Sequence, residues 1–212
     1  MTAKESWKND KTNLIEKLFK TACNVPEIEA YLKKEISYLE RVIPFGASVI
    51  DFGCGNGRHL KILESNITKG LGLDMNQDYL DEANSFNSNK LRFEKGDITT
   101  YSSIEKFDIA ICMYNTFGNV EENKKLLNSM IKVIKSNGKI IISVFGKASI
   151  PSRIEMYRLL GFNHITINEH QIIMEDEGFV SQHFSKKELI ELIPNATVEK
   201  CTDIGWIVTF CK

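Results

Sequence analysis

The sequence predicts an α/β protein built on a doubly wound, mostly parallel sheet, with helices before it and antiparallel strands after it. Three observations carry this expectation. Short apolar runs alternate with helical patterns between Ser48 and Phe145, the order that parallel strands joined by right-handed crossovers require. Some runs, such as "IIISVF" ending at Phe145, are almost continuously apolar, as strands covered on both faces are. The first run, "SVIDF", leads straight into glycines at positions 53, 55 and 57. Glycine is costly to order, so three at alternate positions mark a place where bare backbone is needed.

The elements follow in order. Residues 1–47 read as an N-terminal helical cap. Leu14, Ile15, Leu18 and Phe19 share one stripe, and Pro26–Val42 carries Ile28, Tyr31, Leu32, Ile36, Leu39 and Val42 at spacings of mostly three and four, ended by Pro44 and Gly46. Residues 48–212 read as the main domain. Ser48–Phe52, Gly70–Asp74, Leu91–Glu94, Phe107–Met113 and Lys139–Phe145 are strands; Asn56–Ser65, Gln77–Phe86 and Glu121–Lys135 are helices, the last stopped by Asn137-Gly138. Beyond Gly146 the rhythm changes. Ser152–Leu160 is a short helix, and 161–184 reads as a hairpin cover. Ser185-Lys-Lys-Glu188 is a capping box, and Thr197–Cys201 and Trp206–Cys211 complete a count of seven sheet strands.

Composition narrows the function. The chain has 212 residues, 42% hydrophobic, with net charge -1, which suits one soluble domain. No run reaches the ~18 apolar residues of a membrane span, and the polar N-terminus lacks a signal-peptide core. Charges of both signs are interspersed, so no strong nucleic-acid signal arises. Cys23, Cys54, Cys112, Cys201 and Cys211 are odd in number and lack metal-ligand spacing. They read as reduced thiols of a cytoplasmic protein, with no metal and no membrane partner. A monomer or homodimer is expected.

The glycines fall between a strand and the helix after it, at the carboxyl edge where ligands bind in doubly wound sheets. The pattern is G-x-G-x-G. Arg58 stands where a dinucleotide fingerprint has its third glycine, and the P-loop string is absent. Asp51, just before the first glycine, disfavours a polyphosphate and suits a ligand with a cationic amino group. "VIDFGCGNG" resembles the first motif of the class I S-adenosylmethionine-dependent methyltransferases. "GLGLD", "EKGDIT" and "FDIAICMYNTFGNV" match later motifs in order, so the resemblance covers about residues 46–145. It implies a Rossmann-like methyltransferase fold, S-adenosylmethionine as cofactor and S-adenosylhomocysteine as product.

The resemblance also implies roles. Asp51, Gly53, Cys54, Gly55, Asn56, Gly57 and Arg58 would surround the methionine part of the cofactor. Asp74 would hold the ribose hydroxyls with Met75 beside it, and Asp97 and Ile98 would meet the adenine. Met113 would line the transfer site. Other readings stand beside these: Asp74 as a helix cap, Asp97 as a turn residue, Met75 as core, Arg58 as a solvated helix residue. Tyr31 either closes over the cofactor or belongs to the core stripe. Tyr114 and Asn115, after the fourth strand, are expected to orient the substrate. The segment lacks the Asp-Pro-Pro-Tyr or Asn-Pro-Pro-Tyr string of many nucleic-acid amino methyltransferases and the Pro-Cys of cytosine C5 enzymes. The expected activity is methyl transfer to N or O of a small molecule, the alternatives being an RNA or protein methyltransferase or a non-catalytic cofactor-binding module. His164, His170 or His183 could supply a base, and Glu175, Asp176 and Glu177 could attract a cationic substrate or form a solvated turn.

Overall fold

The computed structural model describes the backbone of residues 14–212 and the side chains from Lys17 onward. The expected cap residues before 14, and the side chains of Leu14 and Ile15, lie outside the described residues.

Helix α1 (Leu14–Ala22) and helix α2 (Pro26–Val42) precede the sheet. Pro26 opens α2 in its first turn, where the missing N–H costs nothing. Its buried face is Ile28, Tyr31, Leu32, Glu35, Tyr38 and Leu39. Spacing of three and four continues through Glu35, so a carboxyl group occupies a core position of the helix.

Seven strands form one sheet: β1 (Ala47–Phe52), β2 (Ile67–Asp74), β3 (Leu91–Lys95), β4 (Phe107–Cys112), β5 (Ile134–Phe145), and, at the end of the chain, β9 (Thr197–Thr202) and β10 (Gly205–Cys211). Their order is β3-β2-β1-β4-β5-β10-β9. All neighbours run parallel except β10, which is antiparallel to both β5 and β9. Helices α3 (Arg58–Leu63), α4 (Gln77–Asn84) and α5 (Asn123–Val133) make the crossovers. The strand order reverses between β1 and β4, so their carboxyl ends open the crevice where such sheets bind ligands.

Both faces are covered. Val49 faces one core with α1, α2, α3 and α4, and Ile50 and Phe52 face the other with α5. This is why β1 is buried at every position. After β5 come α6 (Ile150–Leu159) and a second sheet, the antiparallel strands β6 (Ile165–Ile167), β7 (Gln171–Met174) and β8 (Phe179–Gln182). The expected hairpin is therefore three strands. Helix α7 (Lys186–Leu192) starts with the expected capping box of Ser185 and Glu188.

Several boundaries shift by one to three residues, and the largest difference is at the junction of α5 and β5. Helix α5 ends at Val133 and β5 begins at Ile134, so Asn137-Gly138 lies inside the strand. Ile134 pairs with Phe107 and Lys139 with Ile109, which leaves the intervening residues as a bulge. A Cβ at Gly138 would stand 2.8 Å from Ile134 Cβ and 2.9 Å from Lys135 O. The glycine serves the bulge and not a helix cap. Among the described residues no helix is long and apolar enough to cross a membrane.

Candidate active site

The glycine turn adopts the conformation its composition allows. Gly53, Gly55 and Gly57 have φ of 78°, 52° and 80°, all in the region that penalises a Cβ. At Gly53 a Cβ would also meet Thr116 Cγ2 at 2.4 Å. The turn is tied to β2 by its own backbone. Gly53 N and Cys54 N donate to Leu73 O at 2.8 and 2.9 Å, and Gly55 N donates to Asp74 Oδ2 at 2.9 Å.

Asp74 ends β2 half-buried, and Oδ1 accepts from Asn76 N at 2.9 Å. The carboxylate thus holds backbone N–H groups on both oxygens and retains acceptor capacity. The helix cap of α4 is Asn76, whose side chain accepts from Asp78 N and Tyr79 N. Burial raises the Asp74 carboxyl, opposed by the hydrogen bonds from Asn76, Gly55 and Met75. Asp97 Oδ1 accepts from Thr99 N at 3.0 Å and from Thr99 Oγ1 at 2.7 Å, a side-chain turn that fixes the loop after β3.

The loop after β4 is strained. Tyr114 and Asn115 have φ of 49° and 60°, which costs free energy for any residue with a side chain. Surrounding bonds hold it. Tyr114 N donates to Ser143 Oγ at 2.8 Å and to Glu35 Oε1 at 2.9 Å. Asn115 Oδ1 accepts from Phe145 N at 2.9 Å, and its Nδ2 donates to Ser181 Oγ at 2.9 Å and Gln182 O at 3.1 Å. The Asn115 amide therefore ties β5 and the cover sheet to this loop. The Tyr114 hydroxyl reaches Met156 Sδ at 3.4 Å. Burial pushes that phenol above its ordinary range, so at neutral pH it is a neutral donor.

Beneath the loop lies a buried titratable group of three. Glu35 also bonds Ser143 Oγ, and burial lifts its carboxyl from 4.5 to about 7 against the pull of the Ser143 and Tyr114 bonds. His59 lies between two carboxyls, its Nε2 4.0 Å from Glu35 Oε2 and its Nδ1 3.9 Å from Asp51 Oδ2. Burial, then the neighbouring Arg58, lowers the imidazole to about 3. It is neutral there, and neither approach is an ion pair at neutral pH. Asp51 is raised by burial and by repulsion from Asp74 and Glu35.

One cavity of about 220 Å³ gathers these pieces. Gly53, Cys54, Gly55, Arg58, Asp74, Met75, Asp97, Ile98, Met113, Tyr114 and Asn115 all line it. Asp51, Asn56 and Gly57 lie behind the turn: Asn56 bonds Glu82 at 2.8 Å, and Gly57 backs onto Phe93. Tyr31 is also off the wall. It is fully buried, 4.7 Å from the Phe145 ring centroid, and packs on Gly205, where a Cβ would meet it at 2.3 Å. The helix that closes over the cavity is α1, through Leu18 and Phe19. Phe19 stacks on Tyr114 with centroids 5.2 Å apart and lies 4.8 Å beneath the Arg58 guanidinium.

Met156, Tyr157, Phe162, Met174, Phe179 and Ser181, from α6 and the cover sheet, complete the wall. Sequence reasoning missed them because that region carries no motif. It also missed Glu35, whose only signal is its place on the apolar stripe of α2. Glu175, Asp176 and Glu177 are exposed and off the wall, and Asp176 bonds His164 at 2.6 Å. His164 and His170 are exposed, and His183 is buried with Nε2 2.9 Å from Glu169 O.

Comparison with known proteins agrees with this architecture. Residues 45–201 match the sequence profile of a family described as "Methyltransferase domain". No curated protein sequence matches the chain. Among solved structures, the PH0226 protein of Pyrococcus horikoshii OT3 is similar with a TM-score of 0.66 at 20% identity, covering 85% of this chain and 90% of that one. A second is the 1,6-didemethyltoxoflavin-N1-methyltransferase of Burkholderia thailandensis, solved with 1,6-didemethyltoxoflavin and S-adenosylhomocysteine. It aligns with a TM-score of 0.61 at 16% identity over 86% of this chain and 78% of that one. A Haloferax volcanii chain solved with the Trm112 methyltransferase activator aligns with a TM-score of 0.57 at 18% identity. The match covers 75% of this chain and only 65% of that one. The chain therefore belongs to the methyltransferase-domain family, with the fold of class I S-adenosylmethionine-dependent methyltransferases.

Proposed function

We propose that the protein transfers the methyl group of S-adenosylmethionine to a nitrogen or oxygen of a small molecule. The enclosure of the cavity carries this reading. Leu18 and Phe19 roof it from one side, and Met156, Tyr157, Phe162, Met174 and Phe179 roof it from the other, a shape that suits a compact, largely apolar acceptor.

The residues present fit the cofactor. Gly53 and Gly55 offer backbone without a Cβ, and Asp74 keeps acceptor capacity on both oxygens for the ribose hydroxyls. Met75 and Ile98 give apolar wall for the adenine, with Asp97 at its edge. Arg58 is half-buried on the cavity wall and stacked on Phe19, so its charge is available to the methionine carboxylate. Asp51 and Tyr31 act from the layer behind and support the turn and the wall.

The cofactor supplies a methyl group already activated on a sulfonium. The protein then contributes orientation and exclusion of water. The neutral Tyr114 phenol donates toward the acceptor side, and Asn115 positions the strained loop that carries it. The cysteines nearest the wall, Cys54 and Cys112, are held protonated by burial. An acceptor that brings its own lone pair on N or O matches that environment. In this reading the helices α1 and α2 form a cap on the domain of 48–212, and 161–184 serve as the cover. All five cysteines are unpaired, which favours a cytoplasmic setting.

The test is transfer of labelled methyl from S-adenosylmethionine into a cell extract separated by size. Label in the fraction below ~1 kDa, a cut well under the mass of any folded chain, supports the reading. Label confined to RNA or protein refutes it in favour of a macromolecular substrate, and binding without transfer refutes it in favour of a regulatory module.

A further inference from the structure

Among the described residues Arg153 is the largest fully buried side chain, at 0% exposure in α6, and the one cation in that set. A buried cation ordinarily faces a carboxylate. Among the described residues Arg153 makes no ion pair. Its Nη2 donates to Ser181 O at 2.8 Å and lies 3.5 Å from the Tyr157 hydroxyl, while Nε and Nη1 have no partner. The guanidinium is sandwiched by aromatic faces, 4.8 Å from the Phe145 centroid and 5.8 Å from that of Tyr157. Those contacts stabilise a cation only in part.

Phe145, Tyr157 and Ser181 are also cavity wall. Arg153 therefore stands one side-chain layer behind the acceptor end, on the far side of the loop formed by Tyr114 and Asn115. Among the described residues no carboxylate pairs with it. The buried His183 is held neutral, by burial first and then with the help of Arg153, Lys147 and His170. The charge also reaches Tyr114, where it acts with Arg58 to lower a phenol that burial raises. The wall in front of Arg153 is otherwise apolar and aromatic, with Met156, Phe162 and Phe179.

We propose that the acceptor is a small acid: an apolar body bearing an oxyanion, a carboxylate or phosphonate, that sits against the Tyr157 hydroxyl with Arg153 behind it as counter-charge. This rests on the small-molecule reading above and adds the chemical class. Arg153 is then a positioning residue that sets specificity. An uncompensated cation in a low-dielectric wall favours an anion over a neutral molecule of the same shape.

The test uses the full chain loaded with S-adenosylhomocysteine and three probes: phenylacetate, phenylphosphonate and the neutral isostere phenylacetamide. Calorimetry on the wild type should show both acids binding about tenfold or more tighter than the amide, the scale of a charge-assisted contact. Arg153→Met should bring acids and amide to within about twofold of each other while S-adenosylhomocysteine still binds, and Arg153→Lys should restore most of the preference. Wild-type binding of the amide as strong as the acids, no binding of either acid, or a preference that survives in Arg153→Met would each overturn the proposal. Because the wild-type comparison decides on its own, a variant that fails to fold leaves the proposal exposed to refutation. Failure of the methyltransferase reading is seen separately, as absence of S-adenosylhomocysteine binding or as label in macromolecules.

Discussion

Replacing Glu35 by glutamine should change how stability depends on pH. Glutamine keeps the shape and can still accept from Tyr114 N and Ser143 Oγ through its carbonyl, but it cannot ionise. In the wild type the carboxyl is raised from 4.5 to about 7, so folding takes up a proton between those values. Stability contributed by this group is complete below about 4.5 and is lost as pH rises through about 7. Each pH unit across that gap is worth about 1.4 kcal/mol, which makes the whole loss roughly 3 kcal/mol. His59 works in the opposite sense. Its imidazole is lowered to about 3, so it contributes stability above its unfolded value, lost as pH falls. His59 is present in both proteins and largely cancels in their difference. Urea unfolding at pH 5, 6, 7 and 8 reads that difference directly. Glu35→Gln should gain on the wild type by roughly 3 kcal/mol from the acid end to the basic end. A difference that stays flat with pH would show that Glu35 ionises alike in both states and would refute the reasoning.

Three other outcomes follow from the same geometry. Gly205→Ala would push a Cβ to 2.3 Å from Tyr31 Cε2 and 2.8 Å from Val144 O, and should cost about 1–3 kcal/mol in urea unfolding, the range for overpacking; an unchanged midpoint would contradict the tight seat of Tyr31. Asp74→Ala removes the acceptor for Gly55 N and for the ribose, and should weaken S-adenosylhomocysteine by about 1–3 kcal/mol in calorimetry. An equal loss for an analogue without ribose hydroxyls would remove the ribose role. Arg58→Met should weaken S-adenosylhomocysteine by about tenfold yet leave 5′-methylthioadenosine, which lacks the amino-acid part, unaffected; parallel losses would place the Arg58 effect on the turn and not on a carboxylate.

The parts legible in the sequence are those where backbone chemistry dictates the residue. Three left-handed turn positions demanded Gly53, Gly55 and Gly57, and strands covered on both faces demanded unbroken apolar runs. Gly138 misled because a bulge and a helix stop call on the same freedom from a Cβ. Only the pairing of Ile134 with Phe107, a contact distant in sequence, separates them. Glu35 and Arg153 were illegible for a different reason. A charged residue at a helical spacing reads as a solvated face until packing from α2, β5 and the cover sheet encloses it. The roof was left open on the same ground. Tyr31 and Phe19 both lie on apolar helical stripes, and only the seat at Gly205 and the stack on Tyr114 tell core from lid.

The most direct test of the central claim, that the cofactor lies across the carboxyl ends of β1, β2 and β3, is an amide NMR titration of the labelled protein with S-adenosylhomocysteine. The largest shifts are expected at Gly53, Gly55, Met75 and Ile98, with Asp97 among them, and little change on the outer face of α6 near Pro151 and Arg158. Saturable shifts centred on that outer face, with the glycine turn unmoved, would contradict it.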